Sequence, residues 1–553
     1  MTHELKIALA QLNPTVGDVA GNLALLRQAR ATAATKGADL VFCAEATMSG
    51  YPAEDLVLKP AFQQACRQAV EDLAADTADG GPAIMVGAPW LDDGKLMNAF
   101  LLLDGGKVAA TRYKHELPNY GVFDEKRVFT PAPLQSPVQF RGVKLGVPIC
   151  EDLWFSDVSE CLAESGAEIL LCPNGSPFDI HKMDQRLNMA VARQNETSLP
   201  VVYVNQVGGQ DELVFDGGSF VLDRGHQVKA QLPMFREAVE LTHWRRTNDG
   251  WSCDPAPIVP EPVLLEKIYQ AMMLGLQDYV RKNRFPGVLL GLSGGIDSAL
   301  TAAVAVDALG ADKVRAVMMP SPYTSAHSLE DAAACARLLG ITYETISIEP
   351  AMQAFGQMLA PSFKGRNADT TEENIQSRAR GVTLMALSNK LGYMLLTTGN
   401  KSEMSVGYAT LYGDMCGGYS VLKDIYKMTV FALCRWRNAS HPAGALGPRG
   451  AVMPERVITK PPSAELKPNQ TDQDSLPPYE VLDGILECLV EGEMTVDEIA
   501  AKGYDRATIV RVWRMLDLAE YKRRQAPPGV KISSRAFGRD RRYPITNGFR
   551  AKV

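Results

Sequence analysis

The chain reads as an α/β protein in two domains, on three observations. Short apolar runs alternate with helical patterns, a proline-rich stretch breaks that rhythm near the middle, and 553 residues exceed what one hydrophobic core usually serves. In the first half LKIALAQ (5–11), ADLVFCAE (38–45), AIMVGA (83–88), KLGVPIC (144–150), AEILLCP (167–173) and LPVVYVNQ (199–206) read as buried strands. The stretches 20–36, 60–75, 156–166 and 184–198 read as helices between them. The four prolines of CDPAPIVPEP (253–262) remove backbone donors and fix φ, which marks an extended connector. The domains are therefore expected at 1–255 and 256–553, with the boundary near residue 260. Beyond it come a helix (263–283), the strand GVLLGLSGG (287–295), the helix IDSALTAAVAVDALG (296–310), a strand (313–320), a helix (327–339) and a strand (342–348). That alternation is doubly wound, with parallel strands. Residues 438–478 read as a long irregular segment, 478–490 and 495–519 as helices, and a basic tail begins at Tyr521.

Composition narrows the function. At 46% hydrophobic and 22% charged residues the chain is neither disordered nor fibrous, and a net charge of −7 argues against nucleic acid or an anionic membrane as the main partner. No stretch has the length of a spanning helix, and MTHELKIALAQLNPTVGD lacks the features of a signal peptide, so a cytoplasmic location is expected. The ten cysteines form no CxxC pair and the seven histidines no HxH or HExxH, which leaves no ready zinc site.

Two constellations carry chemistry. Glu45 ends LVFCAE, Lys114 follows the apolar stretch around Val108, and Cys150 ends KLGVPIC, each where a strand would deliver it to the sheet's carboxyl edge. A thiol attacking an amide needs a base for its proton and a positive charge for the oxyanion, and a carboxylate and an ammonium supply them. Singly, each has a plain reading: a core thiol, a helix-capping glutamate, a surface lysine. The second constellation is Gly291, Leu292, Ser293, Gly294, Gly295, Ile296, Asp297 and Ser298, between a strand and a helix. Backbone N–H groups at such a turn suit phosphate, although Gly-Gly with a Ser cap also makes an ordinary tight turn. The segment lacks the GxxxxGK[ST] of a Walker loop and the GxGxxG of a dinucleotide fingerprint.

Resemblance adds to these readings. EATMSGYPAEDLVLKP, RYKHELPNYGVFDEKRVF and GVPICEDLW resemble the three blocks of the nitrilase superfamily in its glutamine-hydrolysing branch, covering Lys6 to about Phe220. That implies an αββα sandwich with Glu45 as base, Lys114 as oxyanion stabiliser and Cys150 as nucleophile. It also implies Glu125 as a second buried carboxylate, and Tyr120, Ser176 and Lys182 as contacts to glutamine. SGGIDS resembles the PP-loop of ATP pyrophosphatases. With MPSPYTS, ENIQSRARG, TTGNKSEMSVGYATLYGD, KPPSAEL and YKRRQAPPGVKI it is similar to the NAD synthetase family over nearly all of the second domain. This implies a Rossmann-like domain in which residues 291–298 and Thr398 bind ATP. Asn374, Glu403 and Lys522 would contact deamido-NAD, with Lys401 and Asp414 as second-choice contacts, and Asp297 and Glu403 would hold Mg2+. The combination implies a ligase that adenylates the nicotinate carboxylate and amidates it with ammonia from glutamine. An internal ammonia tunnel and a homo-oligomer are expected with it. Other readings remain open here: a PP-loop ligase for a different carboxylate, an amidase half kept only as a scaffold, or a nucleotide-binding protein without catalysis. The basic tail suits substrate phosphates or another subunit.

Overall fold

Alternation along each strand sets the layers of the amino-terminal part of the computed structural model, which describes residues 3–549. In β1 (Glu4–Gln11), Leu5, Ile7 and Leu9 lie on one face and Ala8 and Ala10 on the other, all fully buried. The alanine face packs beneath α1 (Val19–Thr35) and α2 (Pro60–Asp76) through Leu26, Ala33, Val70 and Leu73. The other face meets a second sheet. Phe42 of β2 (Leu40–Cys43), Met85 of β3 (Ala83–Asp92) and Phe100 of β4 (Lys95–Asp104) share one core with Leu145, Leu171 and Val202 from across the gap. β5 (Lys107–Tyr113) completes that edge of the first sheet.

The second sheet contains β6 (Val138–Phe140), β7 (Val143–Gly146), β8 (Ile169–Asn174) and β9 (Val201–Asn205). The hairpin β10 (Val207–Gln210) and β11 (Leu213–Asp216) stands apart from it, and β12 (Phe220–Asp223) and β13 (Gln227–Gln231) finish it. β14 (Ala238–Thr247) and β15 (Gly250–Cys253) then return to the first sheet beside β1. Leu170, Cys172 and Tyr203 face outward under α3 (Ser156–Glu164) and α4 (Lys182–Thr197). Helices thus cover both outer faces of two packed sheets, the αββα sandwich.

Two local differences from the sequence reading have simple causes. The ladder expected through Cys150 stops at Gly146, because Pro148 has no N–H to give and the chain turns at Cys150 into a single 3₁₀ turn, Cys150–Trp154. β14 went unread because charged residues interrupt its apolar ones in AVELTHWRRT.

The chain separates into two compact units, Met1–Pro262 and Val263–Val553. In the second, α5 (Leu264–Lys282) precedes β16 (Val288–Gly291), α6 (Ile296–Leu309), β17 (Val314–Met318), α7 (Ala326–Leu339) and β18 (Thr342–Thr345). α8 (Glu349–Leu359) and α9 (Thr370–Leu391) lead to β19 (Met394–Thr397), α10 (Lys401–Val406), β20 (Tyr419–Ser420) and α11 (Lys427–Ala439). All five strands are parallel, in the order β18-β17-β16-β19-β20. β16 pairs with the next strand on one side and with β19 on the other, so the winding reverses there and a crevice opens at their carboxyl ends.

The segment 438–478 is mostly irregular but contains α12 (Glu455–Thr459). After α13 (Tyr479–Val490), the single helix expected over 495–519 is two, α14 (Val496–Ala501) and α15 (Arg506–Leu518). Asp505 starts the second afresh by accepting from Thr508 N–H at 2.8 Å. Among the described residues no helix is long and apolar enough to cross a membrane.

Candidate active sites

Sheet order brings the first constellation together. Glu45 follows β2, Asn98 sits on β4, Lys114 follows β5 and Cys150 opens its turn after β7, and all four are buried. Lys114 Nζ donates to Glu45 Oε1 at 2.7 Å and to Glu125 Oε1 at 2.9 Å. Glu45 also accepts from Asn98 Nδ2 at 2.8 Å and from Gly175 N–H at 2.9 Å, and the Tyr51 hydroxyl donates to Glu125 at 2.7 Å. Burial works against the Lys114 charge, but Glu125 and Glu45 outweigh it and hold the ammonium well above its ordinary pKa. Burial, reinforced by Glu45, raises Glu125 although Lys114 opposes it. Burial and Glu45 also push the Cys150 thiol well up against the pull of Lys114, so it rests protonated. Cys150 takes a φ of 49°, the left-handed region that a side chain rarely adopts, on a turn that presents the thiol.

Asp152 holds that turn. Its carboxylate accepts from Ile149 N–H at 2.9 Å, and from His115 and Glu116 N–H at 3.0 and 2.7 Å, tying the residues beside Cys150 to those after Lys114. Burial lifts its pKa to about 7 despite these donors. Replacing Asp152 with Asn should slow amide hydrolysis by about 10- to 100-fold, since sub-ångström misplacement of reacting groups costs that much. A raised carboxyl pKa means the ionised acceptor is lost as pH falls through about 7, so hydrolysis should weaken on that limb. A pH profile of ammonia release checks both points: the Asn variant should lack that step.

Three residues are expected to hold a substrate amide, and two of them, Tyr120 and Lys182, interact with Cys150. Tyr120 is exposed and donates to Glu151 Oε1 at 2.9 Å. Lys182 lies over the Trp154 ring at 4.6 Å, and burial, helped by the nearby Arg186 charge, lowers its pKa from the ordinary lysine value. Ser176 is buried, with its hydroxyl accepting from Arg186 Nε at 3.2 Å. Arg186 itself forms a buried bidentate pair with Asp216 at 2.8 and 2.9 Å. Tyr51, Asn98, Asp152 and Arg186 are absent from the sequence reading. Gly87 is another omission: a Cβ there would lie 2.1 Å from Ala46 N, so only glycine lets β3 pass beside Glu45.

The second constellation, apart from Gly294, lines a cavity of about 650 Å³ at the sheet's switch point. β16 delivers residues 291–298 to its mouth and α6 points its amino terminus there. Ser293 Oγ accepts from Gly295 N–H at 3.2 Å and lies 3.1 Å from Ser298 Oγ, so the turn is held by its own hydroxyls. Gly294 has a φ of 79°, and a Cβ on it would come 2.3 Å from the Ser328 carbonyl oxygen. From β19 come Thr398, and Glu403 on α10, while α9 brings Asn374 and Lys522 enters from the tail; all line the same cavity. Asn374 Oδ1 accepts from Thr410 Oγ1 at 2.9 Å, and Lys522 Nζ donates to the Gly407 and Ala409 carbonyls at 2.6 Å each. Asp414 also lines it, accepting from Thr410 N–H at 2.7 Å.

Asp297 and Glu403 are brought together by a residue the sequence reading missed. Lys427 Nζ lies 2.5 Å from Asp297 Oδ2 and 3.2 Å from Glu403 Oε1. Burial raises Glu403 to about 8, with Lys427 opposing. Lys427 opens α11, where the helix dipole disfavours a cation, and that placement was the available signal. Among the described residues no three His, Cys, Asp or Glu side chains cluster as a complete metal cage. Two carboxylates on the wall of this cavity are nonetheless a donor set that suits Mg2+, which takes one or two carboxylates and fills its sphere from phosphate and water.

Comparison with known proteins agrees with this division. Residues 6–244 match the carbon-nitrogen hydrolase family and 268–526 the NAD synthase family. The glutamine-dependent NAD(+) synthetase of Rhodobacter capsulatus is 53% identical over 550 residues, and that of Acinetobacter baylyi 44% over 548, the alignments covering 99–100% of each chain. The solved glutamine-dependent NAD+ synthetase of Acinetobacter baumannii, determined in complex with ADP, superposes with a TM-score of 0.79 at 42% identity, all of both chains being covered. A nitrilase-like sandwich and a doubly wound parallel sheet, joined in one chain and matched from end to end by these relatives, place this protein in the glutamine-dependent NAD(+) synthetase family.

Proposed function

We propose that residues 1–255 hydrolyse glutamine and residues 256–553 use the ammonia to convert deamido-NAD to NAD+, consuming ATP. The observation that carries this reading is the buried Glu45–Lys114–Glu125 network around Cys150, which has no purpose in a scaffold.

At the first site Glu45 takes the thiol proton as sulfur attacks the side-chain amide. The oxyanion forms against Lys114, whose third ammonium hydrogen is not used by the two carboxylates. Glu45 passes the proton to the departing nitrogen, which leaves as ammonia, and a glutamyl thioester remains. Water activated by Glu45 then releases glutamate and restores the thiol. Lys182 suits the substrate's α-carboxylate, and Glu151 with Tyr120 suits its α-ammonium. Ser176 completes the pocket.

At the second site the nicotinate carboxylate attacks the α-phosphorus of ATP, and pyrophosphate leaves. This replaces a poor leaving group, oxide, by AMP. Ammonia adds to the acyl carbon of the adenylate, and AMP departs as NAD+ forms. Residues 291–298 and Thr398 bind ATP, the amino terminus of α6 facing phosphate, and Asn374, Glu403 and Lys522 orient the dinucleotide. Asp297 and Glu403 would hold Mg2+, which offsets charge on the phosphates when bound. Lys427 lines the same cavity, where its ammonium suits phosphate oxygens. Ammonia at neutral pH is mostly ammonium and not nucleophilic, so a sheltered internal passage and assembly as a homo-oligomer are part of the proposal.

The test is formation of NAD+ and pyrophosphate from ATP and deamido-NAD, with glutamine or ammonium salt as nitrogen donor. Both donors should give NAD+ and pyrophosphate in equal amounts. Failure with both would move the assignment to a different carboxylate substrate.

A further inference from the structure

The Asp297–Glu403 pair depends on a helix that cannot stand alone. Asn400, fully buried, caps α10: its side-chain oxygen accepts from Glu403 N–H at 3.0 Å, and its amide nitrogen donates to Asp297 Oδ1 at 2.8 Å. α10 has six residues, too few for a helix to persist on its own hydrogen bonds. Its grip comes from the chain's carboxy-terminal segment, at both ends.

At the first turn lies Lys401, wholly buried. Its ammonium pairs with Asp424 Oδ1 at 2.7 Å and Glu491 Oε1 at 2.5 Å, and donates to Ser533 Oγ at 2.7 Å and the Arg535 carbonyl at 3.1 Å. Asp424 in turn accepts from Ile532 and Ser533 N–H at 2.7 and 2.6 Å. At the last turn Arg523 donates to the Ser405 carbonyl at 2.7 Å, and Glu520 anchors both Arg523 and Arg541 at 2.7 and 3.1 Å. A lysine with four polar partners and no access to the cavity cannot meet substrate, so the role of Lys401 lies elsewhere than as a second-choice contact.

We propose that Lys401 is a positioning residue that locks segment 531–541 onto α10, so that the Asn400–Asp297–Glu403 arrangement binds a divalent cation only when that segment is seated. This rests on the reading of Asp297 and Glu403 as Mg2+ ligands. The competing explanation is a buried ion cluster that serves stability alone.

Two variants separate them in the full-length protein. Lys401→Met breaks the lock but leaves two acids uncompensated and risks misfolding; Ser533→Ala removes one hydroxyl and no charge. Leu482→Ala, on the buried face of α13, is the destabilised control. Mn2+ binding, followed by electron paramagnetic resonance with a non-hydrolysable ATP analogue, should weaken about tenfold in Ser533→Ala and further in Lys401→Met. The Mg2+ needed for half-maximal ammonia-driven NAD+ formation should rise by the same factor, with the rate recovered at high Mg2+. Glutamine hydrolysis should not change. Wild-type Mn2+ binding in Ser533→Ala and Lys401→Met, with melting lowered as in Leu482→Ala, would overturn the lock if Asp297→Asn has lost Mn2+. If Asp297→Asn also binds Mn2+ normally, the ligand assignment falls and the lock with it.

Discussion

Cys150→Ala is expected to lower glutamine-driven NAD+ synthesis by about 10³-fold or more while leaving ammonia-driven synthesis near the wild-type rate. The asymmetry follows from where the residue sits. In the proposed mechanism its thiol supplies the covalent intermediate. The second constellation and the residues that share its cavity lie between 291 and 522, in the other compact unit. Alanine is chosen because it disturbs little else: the buried charges of Glu45, Lys114 and Glu125 stay mutually compensated. Removing Lys114 instead would leave two buried carboxylates without their cation and confuse lost chemistry with lost folding. Measuring NAD+ with each donor in turn decides the matter. A variant that used glutamine as well as wild type would end the triad assignment.

Asp297→Asn is expected to cut synthesis from either donor by about 10²- to 10³-fold, with glutamine hydrolysis retained. Asparagine keeps an oxygen for Asn400 but no charge for a cation, and Lys427 loses its nearer counter-ion. An ammonium no longer balanced there is free to hold phosphate, so ATP binding should survive better than turnover. Pyrophosphate release is the direct readout, and a wild-type rate in the variant would remove Asp297 from the metal assignment.

How much of this was legible beforehand depended on contiguity. Residues 291–298 are one uninterrupted strand–turn–helix, so their chemistry could be read from the string. Glu45, Lys114 and Cys150 could each be placed just beyond an apolar run, but that gives position along a strand and not adjacency between strands. Their meeting follows from the order β2-β3-β4-β5 and the stacking of the second sheet. Partners fixed only by that order stayed invisible: Asn98 is two strands from Glu45, and Asp152 reaches back to His115. Gly87 looks like an ordinary strand residue until the Ala46 backbone is seen against it. Lys427 and Arg380 enter the nucleotide cavity from different helices, and no spacing rule joins them.

The protonated state of Cys150 has a consequence for durability. Alkylating agents and peroxide act on thiolates, so a nucleophile kept as a permanent thiolate is exposed to any electrophile that reaches it. Here burial and the Glu45 charge disfavour the anion, and in the proposed mechanism Glu45 takes the proton only as an amide lies against the sulfur. Readiness for the substrate is thereby separated from susceptibility to damage. Cys150 is therefore expected to react slowly with alkylating agents when no amide is bound.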